Sequence, residues 1–157
     1  MKTRLLRLVS LALCLSGLAG CLSHHTFGGL AVTIVSLKPA AATAPEAQTM
    51  LTLHYANENV MAVGITSSTH RLFLNGSPVG TVVNATPVGV PAMAATTQEV
   101  SVKFENPALV RQLANAAGAK TTGYRLESDL LVMAADEKLH AKSIEQGTLD
   151  LSPLAAR

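Results

Sequence analysis

Few residues in this 157-residue chain have side chains suited to chemistry: five histidines, two cysteines and ten carboxylates are the main candidates. Histidines could bind a transition metal or move a proton. His24 and His25 are adjacent, but no carboxylate or third histidine lies near them in sequence, and a solvated linker accounts for the pair. His54 falls on the polar face of an alternating segment. His70 shares a face with Leu72 and Leu74 and is expected to be partly buried and hydrogen-bonded, whereas His140 lies near a turn and is expected to be exposed. No His-x-x-x-His spacing, which would set two imidazoles on one helix face, occurs. Glu127 and Asp129 share a predicted strand face, but alternating exposed charges explain them, and Asp136 and Glu137 fit a turn. No Gly-x-Ser-x-Gly elbow presents a serine. No glycine-rich loop is present to cradle a phosphate, and Gly28-Gly29 reads as linker. The expectation is a protein that is not an enzyme, with no catalytic residues, metal site, cofactor or small-molecule substrate.

The cysteines point to a different chemistry. Met1 to Arg7 is positively charged, Leu8 to Leu15 is apolar and Ser16 to Gly20 is small and turn-prone, the three parts of a secretory signal. The apolar stretch is too short to span a bilayer. It runs into Leu18-Ala19-Gly20-Cys21, which resembles the bacterial lipobox. There a thiol accepts diacylglycerol, and small neighbours fit the signal peptidase. Residues 1–20 are thus expected to be a signal peptide, and Cys21 the lipidation site. Residues 21–29 would be a short tether, 30–152 the folded domain and 153–157 a tail. By lipoprotein sorting rules Leu22 is not the aspartate of inner-membrane retention, which favours the periplasmic side of the outer membrane. Stable anchoring requires more than one acyl chain. Cys14 would be lost with the signal, leaving no free thiol for a disulfide, a metal or a nucleophile.

Charge gives the same picture. The formal +2 includes Lys2, Arg4 and Arg7, and without them nine basic residues face ten acidic ones, a net charge of −1. No basic patch remains for nucleic acid. With 3% aromatic residues and no tryptophan, the chain is poor in material for platforms that stack sugars or single strands. Apolar residues make up 48%, enough for a core in one domain. The tether from Leu22 to Gly29 reaches at most about 25–30 Å, so the domain should stay near its membrane.

From Leu30 the chain reads as short strands between turn signals. Leu30, Val32 and Ile34 open the first, and Pro39 to Ala47 is a small-residue loop. Leu51, Leu53 and Tyr55 alternate with Thr52 and His54. Asn57-Glu58-Asn59 is a turn signal, because asparagine tolerates the left-handed region and bonds its own backbone. A β-branched run from Val63 to Leu74 ends at Asn75-Gly76, a two-residue hairpin turn signal. Val79 to Thr86 is the return strand, and Pro87 and Pro91 mark an edge or crossover. Gln98 to Glu105 alternates with Val100, Val102 and Phe104 inward. Asn106 and Pro107 then open a helix carrying Leu109, Val110 and Leu113, with Gly118 able to end it. Tyr124 to Val132 alternates again, and Leu139 to Leu151 gives a last strand or two, broken near Gly147. The fold class is all-β: an immunoglobulin- or fibronectin-III-like antiparallel sandwich of about seven strands with one short helix.

The order of these segments resembles the late-embryogenesis-abundant class-two proteins, also called the water-stress and hypersensitive-response domain. The residues carrying the resemblance run from Leu51 to Asn59 and from Leu72 to Gly80, followed by Val90-Pro91-Ala92, Val100-Ser101-Val102 and Gly147 to Leu151. It covers roughly residues 30 to 151. Asn57, Asn59, Asn75 and Gly76 are then structural turn residues of the family motif. Two positions depart from the family pattern: Glu58 replaces the proline of Asn-Pro-Asn, and His70 stands where an aromatic is frequent. The resemblance implies a non-catalytic sandwich linked to desiccation or stress, with client proteins as partners. A second reading is an assembly subunit of an envelope complex that pairs with a protein partner along the edge strand Val79 to Thr86.

Overall fold

Alternation with a period of two puts every second side chain on one face of a strand, so each amphipathic strand must bury that face against another sheet. The computed structural model, which describes residues 27–39, 49–116 and 121–155, shows two sheets doing so. The smaller holds β1 (Leu30–Pro39), β2 (Thr49–Asn57) and β6 (Ala94–Val102) in the order β1-β2-β6. The larger holds β3 (Val63–Leu74), β4 (Ser77–Asn84), β7 (Thr121–Ala134) and β8 (Glu137–Asp150) in the order β4-β3-β7-β8, with β5 (Val88–Val90) also paired to β3. All pairings are antiparallel. The all-β sandwich is therefore as expected, with eight strands in place of about seven. The extra one is β5, three residues that pair with β3 between Pro87 and Pro91.

The core lies between the sheets and is built from the alternating positions. Leu51, Leu53 and Tyr55 of β2 face Leu72 and Leu74 of β3 and Leu126, Leu130 and Val132 of β7, all essentially inaccessible to solvent. Helix α1 (Pro107–Asn115) starts as expected: the Asn106 side chain accepts from the Leu109 N–H, and Pro107 occupies the first turn. Val110 is its one buried residue, with Leu109 and Leu113 packed against the core edge. Gly118 lies outside the described residues. A second helix, α2 (Ser152–Ala155), follows β8 and packs near α1.

Three sequence expectations need correction. β6 begins at Ala94, four residues earlier than the alternation suggests, and ends at Val102, while half-buried Phe104 makes only an isolated bridge to Gly80. The last hairpin turns at Ala135 and Asp136, both at positive φ, so Glu137 already belongs to β8. And β8 is one continuous strand through Gly147. That glycine is required by packing, since a Cβ there would sit 2.8 Å from Cε1 of Tyr124. Gly147→Ala should displace the ring and the Tyr124 hydroxyl bond described below, lowering stability by about 1–3 kcal/mol in denaturant unfolding. An unchanged midpoint would show that the ring yields freely.

Both seams between the sheets are closed by hydrogen bonds, most of them from side chains. At one, the N–H groups of Val32 and Ile34 on the free edge of β1 donate to Ser143 Oγ (3.0 Å) and Tyr124 Oη (3.2 Å). At the other, Glu105 N–H donates to the Val79 carbonyl (2.9 Å), Asn84 Nδ2 to Gln98 Oε1 (2.9 Å) and Thr96 Oγ1 to the Gly89 carbonyl (2.9 Å). These bonds occupy the Val32 and Ile34 N–H groups and the Val79 and Gly89 carbonyls, which are therefore closed to pairing with another chain.

Candidate functional site

The described residues concentrate polar side chains in two places. The first is a buried row across the inner face of the larger sheet. Ser143, Ser128 and His70 are register partners on β8, β7 and β3, and Tyr55 reaches them from β2. His70 Nδ1 lies 2.8 Å from Ser128 Oγ, and its Nε2 lies 2.8 Å from Ser68 Oγ and 3.2 Å from Tyr55 Oη. His70 is 0% exposed, a stronger burial than the sequence indicates, and Ser68, Ser128 and Ser143 are buried with it. A neutral imidazole, one N–H and one lone pair, is satisfied by hydroxyls that both donate and accept. No carboxylate is among its hydrogen-bond partners, and burial pulls the imidazole down to about 4. Burial likewise pushes the Tyr55 hydroxyl up, so it stays protonated. With its members closed to solvent, His70 bonded to Ser68, Ser128 and Tyr55, and Ser143 bonded to the Val32 N–H, this row ties the two sheets together. The alternation that places His70 inside also puts Ser68 and Ser128 on inward positions, but it gives no sign that they meet in a row with Ser143. A bulge between Ile65 and Ser67 shifts the alternation by one residue, so Val63 and Ile65 before it and Ser68 and His70 after it all face inward.

The second place is the end of the sandwich where β2 runs into β3. Asn57 is 2% exposed. Its Nδ2 donates to the carbonyls of Met61 (2.8 Å), Pro91 (3.0 Å) and Val90 (3.4 Å), and its Oδ1 accepts from the backbone N–H (3.0 Å) and Nδ2 (3.0 Å) of Asn59. Asn59 Nδ2 also donates to the carbonyls of Gly28 (3.0 Å) and Gly29 (3.3 Å), and its own carbonyl accepts from Met93 N–H (3.0 Å). Glu58 N–H donates to the Gly29 carbonyl (2.8 Å), a bond that proline at position 58 could not make. Two asparagines thus tie three segments together: residues 28–29, 57–61 and 90–93. Gly29, at φ +72 and with Asn59 Nδ2 2.8 Å from where a Cβ would stand, cannot carry a side chain without strain. Gly28 and Gly29 are therefore docked on the domain, more than the linker the sequence suggests.

Around this knot the surface is apolar: Val60 is 88% exposed, Met93 69% and Met61 42%. Met93 is held at φ +50, a conformation glycine or asparagine would adopt at lower cost. At the opposite end, Asn75 and Gly76 (φ +47 and +81) form the two-residue turn between β3 and β4, and Asn75 Oδ1 accepts from Thr122 Oγ1 (2.9 Å). A shallow depression beside that turn is lined by Tyr124, Arg125, Gln146 and Gly147 and holds no acid–base pair.

The remaining candidates separate. Glu127 pairs with Arg125 (2.8 Å) and Arg71 (3.7 Å), and Asp129 with Lys142 (3.4 Å), on the solvent face of the larger sheet. Arg125 also stacks over Phe73, 4.1 Å from the ring centre. His140 is exposed, and its carbonyl accepts from Phe27 N–H (2.8 Å). Among the described residues no three His, Cys, Asp or Glu side chains gather in a way that could hold a metal, and no helix is long and apolar enough to cross a membrane. Cys21, Leu18, Ala19, Gly20, His24 and His25 lie outside the described residues.

The sequence model of the family described as late embryogenesis abundant protein matches residues 52–135, just over half of the chain. No curated protein matches the sequence. Among solved structures, an Arabidopsis thaliana protein determined in solution is 12% identical, with 83% of this chain and 89% of that one covered and a TM-score of 0.49. A second protein determined in solution is 13% identical over 99% of this chain and 89% of that one, with a TM-score of 0.46. A protein from Archaeoglobus fulgidus is 19% identical, covering 75% of this chain and 97% of that one, at a TM-score of 0.44.

Proposed function

The chain belongs to the late embryogenesis abundant protein family, and on that footing we propose that it is a non-catalytic, stress-protective β-sandwich carried as a lipoprotein. Its lipid would sit on Cys21 after removal of residues 1–20, holding the domain on the periplasmic side of the outer membrane. The observation that carries the protective reading is the family match. A physical feature supports it. A protein that shields clients as water is lost gains from having its sheet-edge backbone occupied, and here Val32 and Ile34 N–H and the Val79 and Gly89 carbonyls at the two seams are already hydrogen-bonded. The mechanism is steric and hydrative: a rigid domain with a hydrated charged face, kept near a membrane, separates surfaces that would otherwise adhere on drying.

The assembly-subunit reading needs a free edge along Val79 to Thr86. The start of that edge is already engaged, with the Val79 carbonyl bonded to Glu105 N–H and Gly80 bridged to Phe104, leaving only the part from Thr81 onward. That favours the protective reading.

A deletion strain complemented with the wild-type gene or with Cys21→Ala tests both parts. The wild-type protein should carry acyl mass, fractionate with the outer membrane and restore survival after drying. Cys21→Ala should lose the acyl mass and the outer-membrane location. Equal survival of the deletion and complemented strains would end the protective reading, and an unacylated wild-type protein would end the lipoprotein reading.

A further inference from the structure

We infer that the apolar tip formed by Val60, Met61 and Met93 is a membrane-contact surface, resting in the headgroup region of the bilayer that holds the lipid anchor. This rests on the lipoprotein reading above. The chain from Cys21 joins the domain at this end: Gly28 and Gly29 are bound by Asn59, which is adjacent to Val60 and bonded to Met93. From Cys21 to Phe27 the chain spans at most about 20 Å. The twelve-residue β3 runs about 40 Å from the knot to the Asn75 turn. The anchor therefore holds the tip at the membrane and the far end away from it. Pro39 and Thr49, which flank residues 40–48, and Ala116 and Thr121, which flank 117–120, all lie at that far end, as do both helices.

The tip also has the right chemistry. Three large apolar side chains stand exposed on two loops whose backbone is held by Asn57 through the Met61 and Pro91 carbonyls. The outer face of the larger sheet instead carries the ion pairs of Arg71, Arg125, Glu127, Asp129 and Lys142, which favour water. Charged residues at the tip end are Glu58, Asp136, Glu137 and Lys138, so contact is driven by apolar burial and salt should not release it.

The mature protein has no free thiol once Cys21 is acylated, so single cysteines can be labelled selectively. The full lipidated protein is reconstituted in phosphatidylethanolamine–phosphatidylglycerol vesicles with a fluorophore at Val60→Cys, Met93→Cys or, at the far end, Ser77→Cys, and brominated acyl chains serve as quenchers. Quenching should be at least about threefold stronger at positions 60 and 93 than at 77, and should persist in high salt. Equal weak quenching at all three positions on vesicle-bound, acylated protein would overturn the tip contact while leaving the lipoprotein reading intact. Protein without acyl mass that stays off the vesicles would overturn both.

Discussion

Asn57→Asp should lower the unfolding free energy by about 3–5 kcal/mol. The Asn57 amide nitrogen donates to three carbonyl oxygens in a site closed to solvent. A carboxylate of the same shape keeps the bonds it accepts from Asn59 but turns its other oxygen, with a negative charge, toward those carbonyls. The buried charge has no cation and the carbonyls lose their donor, so both the repulsion and the desolvation count against folding. The same change at Asn75 is the control. That side chain is exposed, and the atom it uses is the oxygen that accepts from Thr122, which aspartate retains. Asn75→Asp should therefore cost less than about 1 kcal/mol. Urea unfolding of the two variants measures the contrast. Similar midpoints would mean that the Asn57 knot does not hold the three loops together.

A second large effect is a loss of stability on acidification. In the unfolded chain His70 titrates near its ordinary value of 6.5, and burial in the fold pulls it to about 4. Between those values the unfolded state binds a proton that the native state refuses, so unfolding becomes easier as pH falls. The stability is complete above about 6.5 and is lost progressively down to about 4. The loss totals about 3 kcal/mol, since each tenfold drop in proton affinity on folding corresponds to about 1.4 kcal/mol. His70→Gln keeps a donor and an acceptor for Ser128, Ser68 and Tyr55 but cannot titrate. It should be less stable than wild type near neutrality, with the gap narrowing or reversing by about pH 4. A constant gap across that range would show that His70 accepts its proton without leaving the core.

Much of this was legible in the sequence. Strands β1 to β4, β7 and the start of α1 follow from alternation, turn chemistry and capping, each set by residues within a few positions of one another. His70 could be placed inside because Leu72 and Leu74 share its face. Other features were beyond local pattern. Gly147 reads as a strand break until Tyr124 is seen packed over it from β7. Ser68 and Ser128 fall on the same alternating faces as His70, Leu126 and Leu130, but that they meet His70 in one row with Ser143 is set by the pairing of β3, β7 and β8, which no short stretch of sequence shows. Gly28-Gly29 reads as linker because Asn59, its partner, is thirty residues away.

The all-β class, the Asn75-Gly76 turn and the family were set by the order of residues, since period-two burial and asparagine–glycine backbone preferences act over neighbouring positions. The closing of the two sheet seams by Ser143, Tyr124 and Gln98 was settled in three dimensions, as was the gathering of three loops into one apolar tip by Asn57 and Asn59. Those outcomes depend on which strand ends meet in space, and long-range register, which no short window of residues encodes, sets that.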